Sequence, residues 1–258
     1  MKTYKAYCID LDGTVYRGKE PILETVQFVH HLQQRGIEPF FVTNNASQTP
    51  DQVKAKLNGL GIDAKRSHIM TSAMAAAKFI VMNYPNVAVS MIGERGLREA
   101  LLENGVKIVE SSQDVFVMGI DRNISYEKLA QACLDIRKGA VFISTNSDRA
   151  FPNERGLMPG NGAFTALVQT STGVDPIFIG KPQGLMLEII QLEHQFAKED
   201  MVMIGDNYDT DILAGIHFGI DTIHVNTGVT STEEVLTKSI SPTVTLENLL
   251  EGINKSLI

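Results

Sequence analysis

The side chains able to do chemistry fall in four short segments, and each segment closes an apolar run. Asp10-Leu11-Asp12-Gly13-Thr14 follows Tyr7-Cys8-Ile9. An acid at the C-terminal end of a buried strand stands where α/β sheets present ligand-binding groups. Two carboxylates at i and i+2 repel each other unless a cation or a positive side chain stands nearby. The functional reading makes Asp10 a metal-assisted nucleophile and Asp12 a carboxyl placed to transfer protons. A plain Asp-Gly turn is the alternative.

The second segment runs from Pro39-Phe40-Phe41-Val42 into Thr43-Asn44-Asn45. A hydroxyl and backbone N–H groups at a strand end suit a phosphate, which needs several donors at once. Taken alone, the segment reads better as the start of a loop. In the third, Ile177-Phe178-Ile179-Gly180 precedes Lys181. A lone lysine there is usually a solvated charge, but beside carboxylates its ammonium balances charge and holds a phosphoryl oxygen. The fourth runs from Val202-Met203-Ile204-Gly205 into Asp206-Asn207-Tyr208-Asp209-Thr210-Asp211. Helix capping accounts for Thr210 or Asp211. It does not account for Asp206, which ends a buried run as Asp10 does. Hard oxygen ligands point to Mg²⁺ rather than zinc.

These residues need a sheet to bring them together. Strand-like runs alternate with helical periodicity from end to end, which predicts an α/β protein with a mainly parallel sheet. The expected strands are 6–10, 39–43, 87–92, 115–119, 140–145, 176–179, 201–204 and 222–225. Apolar spacings of three and four predict helices through Val53, Leu57 and Leu60; through Tyr126, Leu129, Cys133 and Ile136; and through Leu185, Ile189, Leu192 and Phe196. Thr49-Pro50-Asp51-Gln52 and Ser231 with Glu234 are helix-start signals. The segments 65–85 and 237–258 are the least informative.

Composition narrows the function. The 258 residues carry a formal net charge of −7 and are 43% hydrophobic, as in an ordinary soluble globular protein. Nothing favours nucleic acid, which calls for clustered positive charge. Two cysteines exclude a disulfide framework and a multi-cysteine zinc site. Cys8 and Cys133 read as core, and so does the cluster Met70, Met74 and Met82. No apolar run approaches the roughly 18 residues of a membrane span, and no signal-peptide core precedes the first strand. A cytoplasmic location is expected.

Each motif is modest alone; the four in this order are specific. The sequence resembles the haloacid-dehalogenase superfamily of phosphohydrolases, whose signature is DxDGT, then Thr, then Lys, then GDxxxTD. Within it, the sequence resembles the NagD-like, p-nitrophenyl phosphatase branch. The branch is suggested by Thr43-Asn44-Asn45, by Gly119-Ile120-Asp121 with Tyr126-Glu127-Lys128-Leu129, by Thr145-Asn146-Ser147-Asp148, and by Pro159-Gly160-Asn161-Gly162-Ala163. The resemblance implies a Rossmann-like parallel-sheet core, residues 1–71 and 180–258. An inserted smaller α/β cap, residues 72–179, would set substrate specificity. Thr43 and Lys181 stand 138 positions apart, far more than a strand-to-strand connection needs.

The resemblance also implies roles. Asp10 attacks phosphorus and forms an aspartyl-phosphate, and Asp12 protonates the leaving alcohol and then activates water. Mg²⁺ is held by the Asp10 carboxylate, the Asp12 backbone carbonyl and the Asp206 carboxylate. Asn207 and Asp211 orient metal-bound water or Lys181. Thr43, the Asn44 backbone N–H and Lys181 bind phosphoryl oxygens, with Asp12 also lining the substrate site. The polar stretch 146–156 reads either as a specificity loop or as a solvated loop. Its Asn146, Asp148, Arg149 and Arg155 are the candidates for substrate contact, the arginines for a second anionic group. The expected substrates are small phosphate monoesters, sugar or acid-sugar phosphates above nucleotides, with p-nitrophenyl phosphate in vitro. A phosphomutase or nucleotide monophosphatase on the same core is the alternative, and a phospho-accepting signalling module is the rival from another class. A homodimer fits the reading equally with a monomer.

Overall fold

The computed structural model describes residues 3–153 and 155–254. The chain divides into two compact units. The first comprises the residues up to Thr43, Asp51–Met70, and the chain from Lys181 onward; the second comprises Asn44–Pro50 and Thr71–Gly180.

The first unit is built on a six-stranded sheet. Its order is Val244–Leu246, Asp221–Val225, Met201–Gly205, Ala6–Ile9, Phe40–Thr43, Ile69–Thr71. Ala6–Ile9 lies inside the sheet and runs parallel to both neighbours, with Ile9 opposite Ile204 on one side and Phe41 on the other. Every residue of Ala6–Ile9, Phe40–Thr43 and Met201–Gly205 is buried, as a parallel sheet covered on both faces demands. Parallel pairing also places the chain exits of all three strands at the same sheet end. Around the sheet pack Tyr7, Phe28, Phe41, Leu57 and Ile62, among others, each contributing about 1.5–3 kcal/mol by burial. The helix Pro50–Gly59 starts on its proline and buries Val53 and Leu57. Ser231 and Glu234 form the full capping box of the helix Thr232–Val235.

The second unit carries a five-stranded parallel sheet of order Ile177–Phe178, Val141–Ser144, Val115–Met118, Ala88–Ile92, Lys107–Ile108. Phe116, Met118, Ile136, Phe142 and Val168 share one core cluster there with Cys133.

Four expectations are corrected in detail. Tyr126 and Leu192 are exposed, at 81% and 59%. The helix Leu185–His194 instead buries Met186, Leu187, Ile189 and Ile190 and ends before Phe196, because its buried stripe runs through those positions and leaves Leu192 on the exposed face. Met82 is 66% exposed rather than core. The stretch 146–156 is not one loop. It leads into an antiparallel hairpin, Ala150–Asn153 with Gly156–Pro159, and its Glu154 lies outside the described residues. The weakly patterned segment after Lys65 holds the edge strand Ile69–Thr71 and the helix Ser72–Asn83, which Thr71 caps by accepting from the Met74 N–H at 3.2 Å. Among the described residues no helix is long and apolar enough to cross a membrane.

Candidate active site

Four buried ionisable side chains meet at the exit end of the first sheet. Asp10 leaves Ala6–Ile9, and Asp206 leaves the neighbouring Met201–Gly205. Lys181 donates to the Asp10 carboxylate, lies 2.7 Å from Asp211 Oδ1, and donates to the Val42 carbonyl at 3.1 Å. Val42 immediately precedes Thr43, itself buried at the end of its strand. Asp211 reaches the cluster through a π-helical turn over Tyr208–Ile212, its Oδ2 accepting the Asn207 N–H at 3.1 Å. Such wide turns recur at functional sites. Asn207 Oδ1 in turn accepts the Asp209 N–H at 3.0 Å.

Thr14 of the first motif and the backbone of a segment outside the four motifs hold Asp206 in place. Thr14 Oγ1 donates to Asp206 Oδ1 at 2.9 Å, and the Val229 N–H donates to Oδ2 at 2.7 Å. Gly13 has φ +96°, and a Cβ there would stand 2.4 Å from Asp206 Oδ2, so this position admits only glycine. The segment bearing Val229 is tied at both ends. Arg17 Nε donates to the Thr227 carbonyl at 2.8 Å, Thr227 Oγ1 donates to the Gly13 carbonyl at 2.7 Å, and the buried His224 Nε2 lies 2.9 Å from the Thr230 carbonyl. Sequence reasoning passed over Thr227-Gly228-Val229-Thr230. The signal was there, because a Gly-containing turn following an interior strand of this sheet lies at the ligand-binding end.

The electrostatics are unbalanced. Asp10, Asp206 and Asp211 place carboxylate oxygens within 4.8 Å of one another, against the single ammonium of Lys181. Burial raises the Asp10 pKa well above the carboxylate range, Asp211 adds to the shift, and Lys181 only partly opposes it. Burial and then Asp211 lift Asp206 to about 6. Burial alone would lower the Lys181 pKa, but Asp10 and Asp211 outweigh it and hold it above its ordinary value. Three hard oxygen donors with a surplus of negative charge suit a divalent cation. Asp12 differs: it is exposed, with Tyr16 and Lys56 beside it.

The remaining candidates belong to the second unit. Asn44 Nδ2 donates to Asp148 Oδ1 at 3.0 Å, and the Asn44 carbonyl accepts from Ser72 Oγ at 2.6 Å and Asn146 Nδ2 at 2.8 Å. Asn146 is buried, and its Oδ1 takes the Asp148 N–H at 3.1 Å. These side chains are engaged in fixing Asn44 and the 145–148 turn. Arg149 and Arg155 are exposed, Arg155 at the hairpin tip.

The sequence matches family models described as haloacid dehalogenase-like hydrolase over residues 7–107 and HAD-hydrolase-like over residues 178–252. The chain belongs to the haloacid dehalogenase-like hydrolases, and within them it is a phosphoric monoester hydrolase. It is 47% identical to an acid sugar phosphatase of Staphylococcus saprophyticus, across 99% of each chain. It superposes on a thermostable NPPase double mutant from Geobacillus stearothermophilus with a TM-score of 0.90 at 46% identity, covering 96% of this chain and 98% of that one. A p-nitrophenyl phosphatase described as putative, from Bacillus subtilis, gives a TM-score of 0.89 at 46% identity, with coverages of 99% and 97%. The family anticipated from the four motifs, and the branch anticipated from the further segments, are therefore borne out.

Proposed function

We propose that this enzyme is a Mg²⁺-dependent phosphatase of small phosphate monoesters, acid-sugar phosphates foremost, acting through an aspartyl-phosphate on Asp10. The observation that carries this reading is the buried Asp10–Lys181–Asp211–Asp206 cluster at the exits of adjacent parallel strands. The near full-length identity to an acid sugar phosphatase supports the substrate class.

An Asp10 carboxylate oxygen attacks phosphorus in line, and the bond to the leaving oxygen breaks. Asp12 gives that oxygen a proton, then takes one from the water that hydrolyses the aspartyl-phosphate. Lys181, Thr43 and the Asn44 backbone N–H hold the phosphoryl oxygens. The Asp10 and Asp206 carboxylates with the Asp12 carbonyl would hold Mg²⁺, while Asn207 and Asp211 orient water and Lys181. The ion supplies charge neutralisation for a dianionic ester and for the transferring phosphoryl group. Residues 72–179 serve as the inserted cap that sets specificity, with Asn146, Asp148, Arg149 and Arg155 in its polar stretch.

Phosphate release across sugar phosphates, sugar-acid phosphates, nucleotides and p-nitrophenyl phosphate tests the assignment, with Mg²⁺ and after chelation. Turnover of the sugar-acid phosphates above nucleotides, lost on chelation and restored by Mg²⁺, is expected. Full rates in a folded, metal-depleted enzyme would refute the metal assignment.

A further inference from the structure

Resting on the reading of Asp12 as the proton-transferring carboxyl, we infer that Tyr16 and Lys56 form a positioning pair for that side chain. Neither residue belongs to the four motifs, and they come from separate parts of the first unit. Tyr16 opens the short strand after the Asp12 turn, and Lys56 lies on the helix Pro50–Gly59.

The geometry has three parts. The Tyr16 hydroxyl donates to Asp12 Oδ2 at 3.4 Å, and a β-bridge joins the two residues through their backbones. The Tyr16 ring is 2% exposed, and a buried phenol keeps a polar partner; here that partner is Asp12. The Lys56 ammonium lies over the Tyr16 ring, 3.3 Å from its centroid. Lys56 and Asp12 attract each other, the ammonium favouring the charged carboxylate. Burial and the Asp12 charge also keep the Tyr16 hydroxyl protonated, hence a donor.

A half-buried ammonium loses hydration. A cation–π contact and one carboxylate return part of it. Packing on Tyr16 would use only the stem of this lysine, whereas here the charged head lies over the ring. Asp12 is otherwise an exposed side chain at the start of a Gly-containing turn, free to adopt several rotamers. The pair selects one: Oδ2 is held by the hydroxyl, and Oδ1 is left for proton transfer. In the first half-reaction the Oδ1 proton passes to the ester oxygen as the P–O bond breaks. That bond's electron pair goes to the oxygen, and Asp10 forms the new bond to phosphorus.

The test compares p-nitrophenyl phosphate with phenyl phosphate. The rings are alike, but phenol is the poorer leaving group and depends far more on a proton donor. The ratio kcat/KM reports steps through phosphoenzyme formation, so slow hydrolysis of the intermediate does not mask the effect. Lys56→Met and Tyr16→Phe should each lower kcat/KM for phenyl phosphate about tenfold, and for p-nitrophenyl phosphate less than about threefold. Lys56→Arg should restore most of the loss. Lys56→Gln serves if Lys56→Met does not fold, and Asp12→Asn is the reference. Equal losses on both esters, or none on either, while Asp12→Asn keeps its leaving-group bias, would overturn the pairing. An Asp12→Asn enzyme without that bias would instead overturn the reading of Asp12 itself.

Discussion

Two groups of buried aspartates in this chain have opposite surroundings. In the second unit Asp135 is fully enclosed and accepts from Ser90 Oγ at 2.6 Å, Ser111 Oγ and Gln131 Nε2 at 2.7 Å, and the Ser112 N–H at 3.1 Å. Burial would raise its pKa, but these four donors outweigh burial and hold it below the ordinary value. In the first unit Asp10 and Asp206 are also buried, but burial and then the facing Asp211 carboxylate raise their pKa values, and the one lysine that serves the group only partly opposes the rise. A satisfied buried acid knits helix 126–137 to the loop after 108. An unsatisfied one stores a demand for positive charge, which is what substrate turnover can use.

Substitution should separate the two. Asp10→Asn is expected to lower kcat by roughly 10³-fold or more, as loss of a nucleophile does, with a melting temperature no lower than that of the parent. Asp135→Ala should do the reverse. It strands two buried serine donors and costs on the order of 3 kcal/mol in denaturant unfolding, with kcat at low temperature close to the parent's. A destabilised Asp10→Asn enzyme, or an inactive but stable Asp135→Ala enzyme, would break the contrast.

The raised pKa of Asp206 gives a smaller, signed effect. An unfolded carboxyl titrates near ~4, whereas the folded one keeps its proton to about 6. Between these values the folded state binds the extra proton, so metal-free stability falls as pH rises through the window and levels off above it. Mg²⁺ competes with that proton and should stabilise more at pH 7 than at pH 5. Thermal melts across this range, with and without Mg²⁺, check the sign, and Asp206→Asn should flatten the metal-free slope. The smallest effect belongs to the exposed arginines. Arg149→Ala and Arg155→Ala should raise KM several-fold for sugar-acid phosphates and leave p-nitrophenyl phosphate nearly unchanged; equal small effects on both would remove this stretch from substrate recognition.

The difference between the two environments also explains what could be read from the sequence. Asp10, Lys181 and Asp206 were legible because each ends an apolar run, and a buried strand that stops on a charge is chemically conspicuous. Asp135 was invisible: it sits on a helix, and its four partners come from three places that only the fold brings together. The Val229 N–H was missed for a related reason, since a backbone donor leaves no mark in residue type, and Thr14, though inside the first motif, carried no sign of its bond to Asp206. Lys56 carries no signal in its type or spacing, and only the ring of Tyr16 beneath it sets it apart. The strands Ile69–Thr71, Lys107–Ile108 and Val244–Leu246 are two or three residues long, too short to display a period.

The account turns on Asp10 as the group that takes the phosphoryl. Enzyme mixed with ³²P-labelled sugar phosphate and Mg²⁺, quenched in acid within milliseconds and mapped by peptide mass, measures this directly. The label should sit on the peptide holding Asp10, be released by hydroxylamine as an acyl phosphate is, and vanish in Asp10→Asn. Label on another residue, or a normally active enzyme that never carries label at any quench time, would contradict it.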